Sequence, residues 1–262
     1  MTRETVKQAD ASVVHIVSKE RRIMPRGLVV LPLLVLLLSG ILIACGSPPS
    51  EIVLKRHLDE GNKLVEKGLY DEAIEEYDKA IELDPTLIDA YYNKALVYND
   101  LTLYDQAIDN YTRAIELDPN RVDPYYHRAL VYAYRGQYDL AIADFDKAIK
   151  LESDRVDSYF YRGLAYIDKG QSDLAIADFN RAIELDPSLV MAYNNRGAVY
   201  LGMGQYDYAI ADTTRAIGMD PNLVGAYINR ASAYFAKGEY DLAIADYDKA
   251  IELYPTAADA YG

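Results

Sequence analysis

Small and aromatic residues recur along positions 52 to 255 with a period of 34, and within each period the apolar residues fall at helical spacing. Proline sets the grid: Pro85, Pro119, Pro187, Pro221 and Pro255 share one register, in which Ser153 takes the remaining place. With this proline counted as position 32, alanine holds position 20 (Ala73, Ala107, Ala141, Ala175, Ala209, Ala243) and position 27 (Ala80, Ala114, Ala148, Ala182, Ala216, Ala250) in all six units. Two small residues seven apart lie on one face of a helix and let a second helix approach closely. Position 8 is Gly or Ala throughout (Gly61, Ala95, Ala129, Gly163, Gly197, Ala231), which gives a preceding helix its own notch. Glycine at position 15 in five units (Gly68, Gly136, Gly170, Gly204, Gly238), with Thr102 as the exception, marks a turn where a left-handed residue ends that first helix. Asp at position 18 in every unit (Asp71, Asp105, Asp139, Asp173, Asp207, Asp241) is placed to cap the second helix, at about 1 kcal/mol per cap. The proline then stops it, because the residue before Pro disfavours the helical region and Pro has no amide to donate. The pattern predicts helix, turn, helix and stop, six times over.

Small residues at 8, 20 and 27, aromatics at 4, 11, 17 and 24 and Pro at 32 resemble the signature of the tetratricopeptide repeat family. The resemblance implies an all-α, right-handed superhelical solenoid of six helix-turn-helix units (about 52-85, 86-119, 120-153, 154-187, 188-221 and 222-255). It also implies a concave face lined by first helices that holds peptides or partner proteins. His57 at position 4, Ser172 at 17, Thr213 at 24 and Arg or Lys in place of the usual Leu at 7 depart from the signature without altering the fold it implies. Residues 256-262 read as the start of a truncated seventh repeat, with Tyr261 at its position 4. Without a capping helix, Ala243, Tyr247, Ala250 and Ile251 are expected to be partly exposed, which allows self-association through that end or continuation into a longer protein.

Position 7 is basic in units two to six (Lys94, Arg128, Arg162, Arg196, Arg230), and wherever it is Arg the same unit carries Asp at position 23 (Asp144, Asp178, Asp212, Asp246). Lys94 goes with Asn110 and Glu60 with Glu76, so the two positions vary together. In a hairpin turning near position 15 they stand at similar height, which predicts a ladder of Arg–Asp pairs. A carboxylate beside each guanidinium would occupy its donor fork, which argues against an arginine row for anionic ligands. The Tyr rows at position 4 (Tyr91, Tyr125, Tyr159, Tyr193, Tyr227) and position 11 (Tyr98, Tyr132, Tyr166, Tyr200, Tyr234) share a stripe of the first helix and read as core.

By the family's geometry, positions 2, 5, 6, 9, 12 and 13 face the groove, and here they differ from unit to unit. Tyr92, Asn93, Leu96, Tyr126, His127, Phe160, Tyr161, Asn194, Asn195 and Asn229 are the expected partner-binding residues, with an aromatic strip in the middle units. Asn93, Asn195 and Asn229 resemble part of the asparagine ladder with which some family members grip a peptide backbone, since an amide both donates and accepts. Asp89, Asp123 and Asp157 at position 2, with Asp100 and Asp168 at position 13, predict an acidic first half that favours a cationic or neutral segment. The set used by the family to clamp chaperone tails is represented here by Leu58, Asn62, Asn93, Asp123 and His127, of which only the two asparagines match. Its cations are missing, so chaperone tails are disfavoured.

Composition changes this picture in three ways. The formal net charge is -14, and the first 45 residues hold six Lys and Arg against three Asp and Glu, leaving 21 against 38 for the remainder. So acidic a body repels phosphate backbones, and no nucleic-acid partner is expected. Second, the single cysteine, Cys45, excludes an internal disulfide and a Cys-based zinc cluster, and His15, His57 and His127 are scattered without a metal-pair spacing. No catalytic group, metal or cofactor is predicted, and the sequence reads as a non-catalytic scaffold; the alternative is an adaptor fragment of a larger enzyme or of a transport or secretion assembly.

Third, Leu28 to Ala44 is a run without charge, preceded by Arg21, Arg22 and Arg26 and followed by Cys45-Gly-Ser-Pro-Pro. Leu42-Ile43-Ala44-Cys45 resembles the lipobox of bacterial lipoproteins, which implies cleavage before Cys45 and its lipidation. The chain is therefore expected to comprise a polar and basic region 1-27 with Met24 a candidate true start, a signal segment 28-45, a linker 46-51 and the repeats. An extracytoplasmic, membrane-anchored lipoprotein follows, with a single-pass signal anchor as the alternative.

Overall fold

The computed structural model describes residues 51–254, within the second of two units of the chain, residues 46–262. The segments 1-27 and 28-45, the lipid acceptor Cys45, nearly all of the linker, Pro255 and the start of a seventh unit at 256-262 lie outside the described residues.

The described residues form twelve α-helices and no strand. They run α1 Glu51–Glu66, α2 Tyr70–Leu83, α3 Ile88–Asp100, α4 Tyr104–Leu117, α5 Val122–Tyr134, α6 Tyr138–Leu151, α7 Val156–Asp168, α8 Ser172–Leu185, α9 Val190–Gly202, α10 Tyr206–Met219, α11 Val224–Lys237 and α12 Tyr240–Leu253. Each odd-numbered helix packs most extensively on the even-numbered helix that follows it, and each hairpin then packs on the next, the arrangement of a solenoid. First helices also touch first helices (α1 with α3, α5 with α7, α9 with α11).

Backbone hydrogen bonds explain the turn. Gly68, Gly136, Gly170, Gly204 and Gly238 have φ of 72 to 80°, and the residue after each returns its amide to the carbonyl of position 11, as in Leu69 N to Leu64 O at 2.9 Å. Thr102 adopts the same conformation at φ 60°, where its Cβ crowds the backbone.

Two sequence expectations need correction. The Asp at position 18 does not cap the second helix: the cap residue is position 16 (Leu69, Leu103, Gln137, Gln171, Gln205, Glu239), and none makes a side-chain cap bond. Asp71 and its equivalents sit in the first turn instead, where a carboxylate favours the positive end of the helix dipole. Nor does the second helix need proline to stop. Beside Ser153, α6 ends at Leu151 with Glu152 extended, as its counterparts do before proline. The carbonyl at position 32 accepts the hydroxyl of the next unit's position-4 tyrosine in either case, from Tyr159 to Ser153 at 3.1 Å and from Tyr227 to Pro221 at 3.2 Å.

The core runs between the paired helices. Tyr77, Tyr111, Phe145, Phe179 and Thr213, all at position 24, are fully buried with the alanines of positions 20 and 27. Position 8 is small because that side chain lies over it: a Cβ on Gly61 would meet Tyr77 Cε1 at 2.5 Å, and one on Gly163 would meet Phe179 Cε1 at 2.9 Å. At the last hairpin Ala243 and Ala250 are buried against α11, contrary to expectation, while Ile251 is 56% exposed and Tyr247 half-buried.

Candidate binding face and the ion-pair ladder

The first helices carry two rows of functional interest. On the flank facing its own second helix, Arg128 donates from Nε and Nη2 to both carboxylate oxygens of Asp144 at 2.7 and 2.9 Å. Arg162 does the same to Asp178 at 2.8 and 2.6 Å, Arg196 to Asp212 at 2.7 and 2.6 Å, and Arg230 to Asp246 at 2.7 Å twice. The spacing of 16 residues anticipates these pairs. It does not anticipate the third donor.

In each case Nη1 reaches position 25 of the preceding unit: Thr112, Asp146, Asn180 and Thr214 at 2.7, 2.5, 2.5 and 3.1 Å. Each arginine therefore ties its hairpin to the one before. Where Asp is missing, Lys94 keeps only the link between units, to Asp78 at 2.5 Å. Tyrosines flank the guanidinium, with Arg128 5.7 Å from the Tyr132 ring and Arg162 5.7 Å from that of Tyr159. Burial, working against the Arg162 hydrogen bonds, holds the Asp178 carboxyl above its ordinary value.

The displaced Asp at position 18 also acts between units. Asp105, Asp139 and Asp207 pair with Arg135, Lys169 and Lys237 at position 14 of the following unit. These pairs are exposed and screened by water, so they contribute little to stability.

The other row faces away, on the surface shared by the first helices. Tyr92, His127, Tyr126 and Tyr161 form a chain of ring contacts, with centroids 5.7 Å apart for Tyr92 and His127, 5.0 Å for Tyr126 and His127, and 6.2 Å for Tyr126 and Tyr161. Phe160 lies 5.3 Å from Tyr161. The strip is less open than expected. Arg121 sits 4.9 Å above the Tyr92 ring and Arg155 4.3 Å above Tyr126, which is only 7% exposed. Burial pushes the Tyr92 hydroxyl up to about 12 and the His127 imidazole below its ordinary 6.5, so His127 is neutral at pH 7.

The same two arginines alter the charge of this face. Arg121 pairs with Asp89, and Arg155 with Asp123 at 2.8 Å, so two of the three position-2 carboxylates are already neutralised. Sequence reading missed Arg121 and Arg155 because position 34 is Leu in the other units in which it is followed by a further described helix (Leu87, Leu189, Leu223), and no repeat pattern marks them. The amides also find partners within the chain. Asn93 donates to Asn62 at 3.0 Å, and Asn229 to Asn194 at 3.0 Å, leaving Asn194 7% exposed and Asn195 half-buried. Leu96 packs against the Ala95–Tyr111 cluster.

Among the described residues no group of His, Cys, Asp and Glu could hold a metal ion, and no helix is long and apolar enough to cross a membrane. The apolar run 28–44 lies outside them.

Family comparisons agree with this architecture. A TPR repeat family matches residues 61–101, 130–170 and 163–204, and two tetratricopeptide repeat families match 88–121, 190–223 and 224–257, and 110–143, together spanning residues 61–257 without a break. The chain belongs to the tetratricopeptide repeat family. Among solved structures it is similar to MamA, at 28% identity and a TM-score of 0.61 over 66% of this chain and 94% of that one. It is also similar to YrrB, described as a TPR protein with an unusual peptide-binding site, at 27% identity and a TM-score of 0.61 over 68% of this chain and 92% of that one. A tetratricopeptide repeat protein from Parabacteroides merdae shares the fold at 22% identity and a TM-score of 0.67, over 77% of this chain and 80% of that one. No curated protein matches the chain significantly.

Proposed function

We propose that this protein is a non-catalytic scaffold that holds a segment of a partner protein along the face of its first helices, and that Cys45 anchors it to a membrane outside the cytoplasm. One observation carries the binding half. The same first helices place the repeated Arg–Asp pairs of units three to six on one flank and side chains that change along the chain on the other, including Tyr161, Ile228 and Phe235 exposed to water. Packing does not require that variety, and exposed apolar groups in a row are a common mark of an interaction surface. The similarity to YrrB, described as a TPR protein with an unusual peptide-binding site, supports the reading.

Anchoring rests on the apolar run 28–44 and the Leu-Ile-Ala-Cys sequence ending at Cys45. More than one acyl chain on that cysteine would give stable attachment, each buried methylene contributing about 0.8 kcal/mol. Intact mass of the membrane-extracted protein, compared with Cys45→Ser, tests it. An acyl adduct lost in the variant is expected; an unmodified, uncleaved segment in the wild type would replace lipidation with a signal anchor.

A further inference from the structure

We infer that the binding face has two zones fitted to a single extended, amphipathic partner segment, with basic side chains over units two to four and apolar ones over units five and six. This rests on the scaffold reading and adds the chemistry of the partner. In the first zone Asp89 and Asp123 are consumed by Arg121 and Arg155. Asp100, Asp157 and Asp168 are exposed and have no ion-pair partner among the described residues. These three carboxylates set the charge that an incoming chain meets, beside the roofed rings of Tyr92 and Tyr126.

In units five and six the corresponding positions 2, 5, 6, 9, 12 and 13 hold no charged residue. Met191, Ile228 and Phe235 are 40%, 37% and 60% exposed there, interleaved with the amides of Asn195 and Asn229. A charge placed over that surface would lose water without gaining a counter-ion, whereas an apolar side chain would gain burial. Neighbouring helices pack about 10 Å apart and an extended chain advances about 3.3 Å per residue, so roughly 12 residues cross units two to six. A segment of that length reaches both zones at once, and the face then selects for the order of its residues as well as for their type.

The test is selection of random twelve-residue peptides displayed against the full chain, followed by affinity measurements on the enriched sequences as synthetic peptides. Enrichment of Lys or Arg toward one end and Leu, Ile, Phe or Met toward the other is expected. For such peptides, Asp157→Asn with Asp168→Asn should weaken binding about tenfold at low ionic strength and flatten its salt dependence. Ile228→Ser with Phe235→Ser should weaken it while leaving the salt dependence intact. Both pairs are exposed, and unchanged helix content and melting temperature would exclude misfolding. Enrichment of acidic peptides, or of peptides without block order whose binding is nonetheless lost in Asn195→Arg, overturns the two-zone inference and leaves the scaffold standing. Enriched peptides indifferent to all of these substitutions would remove the scaffold reading together with the inference.

Discussion

Positions 5 and 7 lie two residues apart on the same first helices and yet behave in opposite ways. At position 7 of units three to six stands an arginine with the same two oxygens of its own Asp and the same reach to position 25 of the previous unit. At position 5 stand Leu58, Tyr92, Tyr126, Phe160, Asn194 and Ile228, no two adjacent units beyond the tyrosines alike. The arginine solves a problem that recurs identically at every junction, namely fixing the register between hairpins with a planar fork that tolerates one geometry. The residue at position 5 meets no single recurring demand: Tyr126 and Asn194 are buried against their neighbours, whereas Ile228 is exposed. Repetition marks what the scaffold needs, and variation marks what the scaffold leaves available.

The sharpest way to break this contrast is at the ladder. Arg162→Met should leave Asp178 buried without a counter-charge and lower stability by about 3 kcal/mol in chemical denaturation. Asn195→Ala on the other row should change stability by less than about 0.5 kcal/mol. Equal losses would mean that the variable row is structural too.

A finer contrast lies in the core at position 24. Tyr77 donates its hydroxyl to Asn62 at 2.8 Å, whereas the Tyr111 hydroxyl is buried without a partner. Tyr77→Phe should therefore destabilise by about 1 kcal/mol and Tyr111→Phe stabilise by about the same amount, measured as opposite shifts in melting temperature. The same sign for both would show that the hydroxyl of Tyr111 is satisfied.

Thr102 allows the turn to be sharpened in the same manner. Replacing it with the glycine of the other five turns should stabilise by about 1 kcal/mol, because φ of 60° costs a side-chain-bearing residue what glycine does not pay. A loss on Thr102→Gly would place the greater flexibility of the unfolded chain ahead of that strain.

The smallest expected effect is a pH dependence on the binding face. His127 is held below its ordinary 6.5 by burial, so the unfolded chain takes up this proton first as pH falls. Its contribution is fully present above pH 6.5 and is lost as pH drops through the lower folded value. Comparing wild type with His127→Phe between pH 7 and 5 should show a steeper loss in the wild type, and parallel curves would remove burial as the dominant influence on this imidazole.

The fold and the ladder were legible because both are written within one hairpin. Helical periodicity puts positions 20 and 27 on one face, and a turn at 15 brings 7 and 23 to one height, so spacing alone predicts who meets whom. The binding face was legible only as a set of positions. Arg121 and Arg155 occupy a position outside that set, and by covering Tyr92 and Tyr126 and neutralising Asp89 and Asp123 they remove part of the ring surface and charge that the spacing predicts.

By itself, then, the sequence determined the 34-residue unit, its small-residue contacts, its left-handed turn and the Arg–Asp pairs, all consequences of local helix geometry. Only the tertiary structure decided that the arginine's third donor crosses to the preceding unit, that Asp at position 18 looks to the following one and that Tyr126 lies under a guanidinium. The physical reason is the stacking of each hairpin on the next. It arises from packing whole helices against one another, and no spacing within a single unit records it.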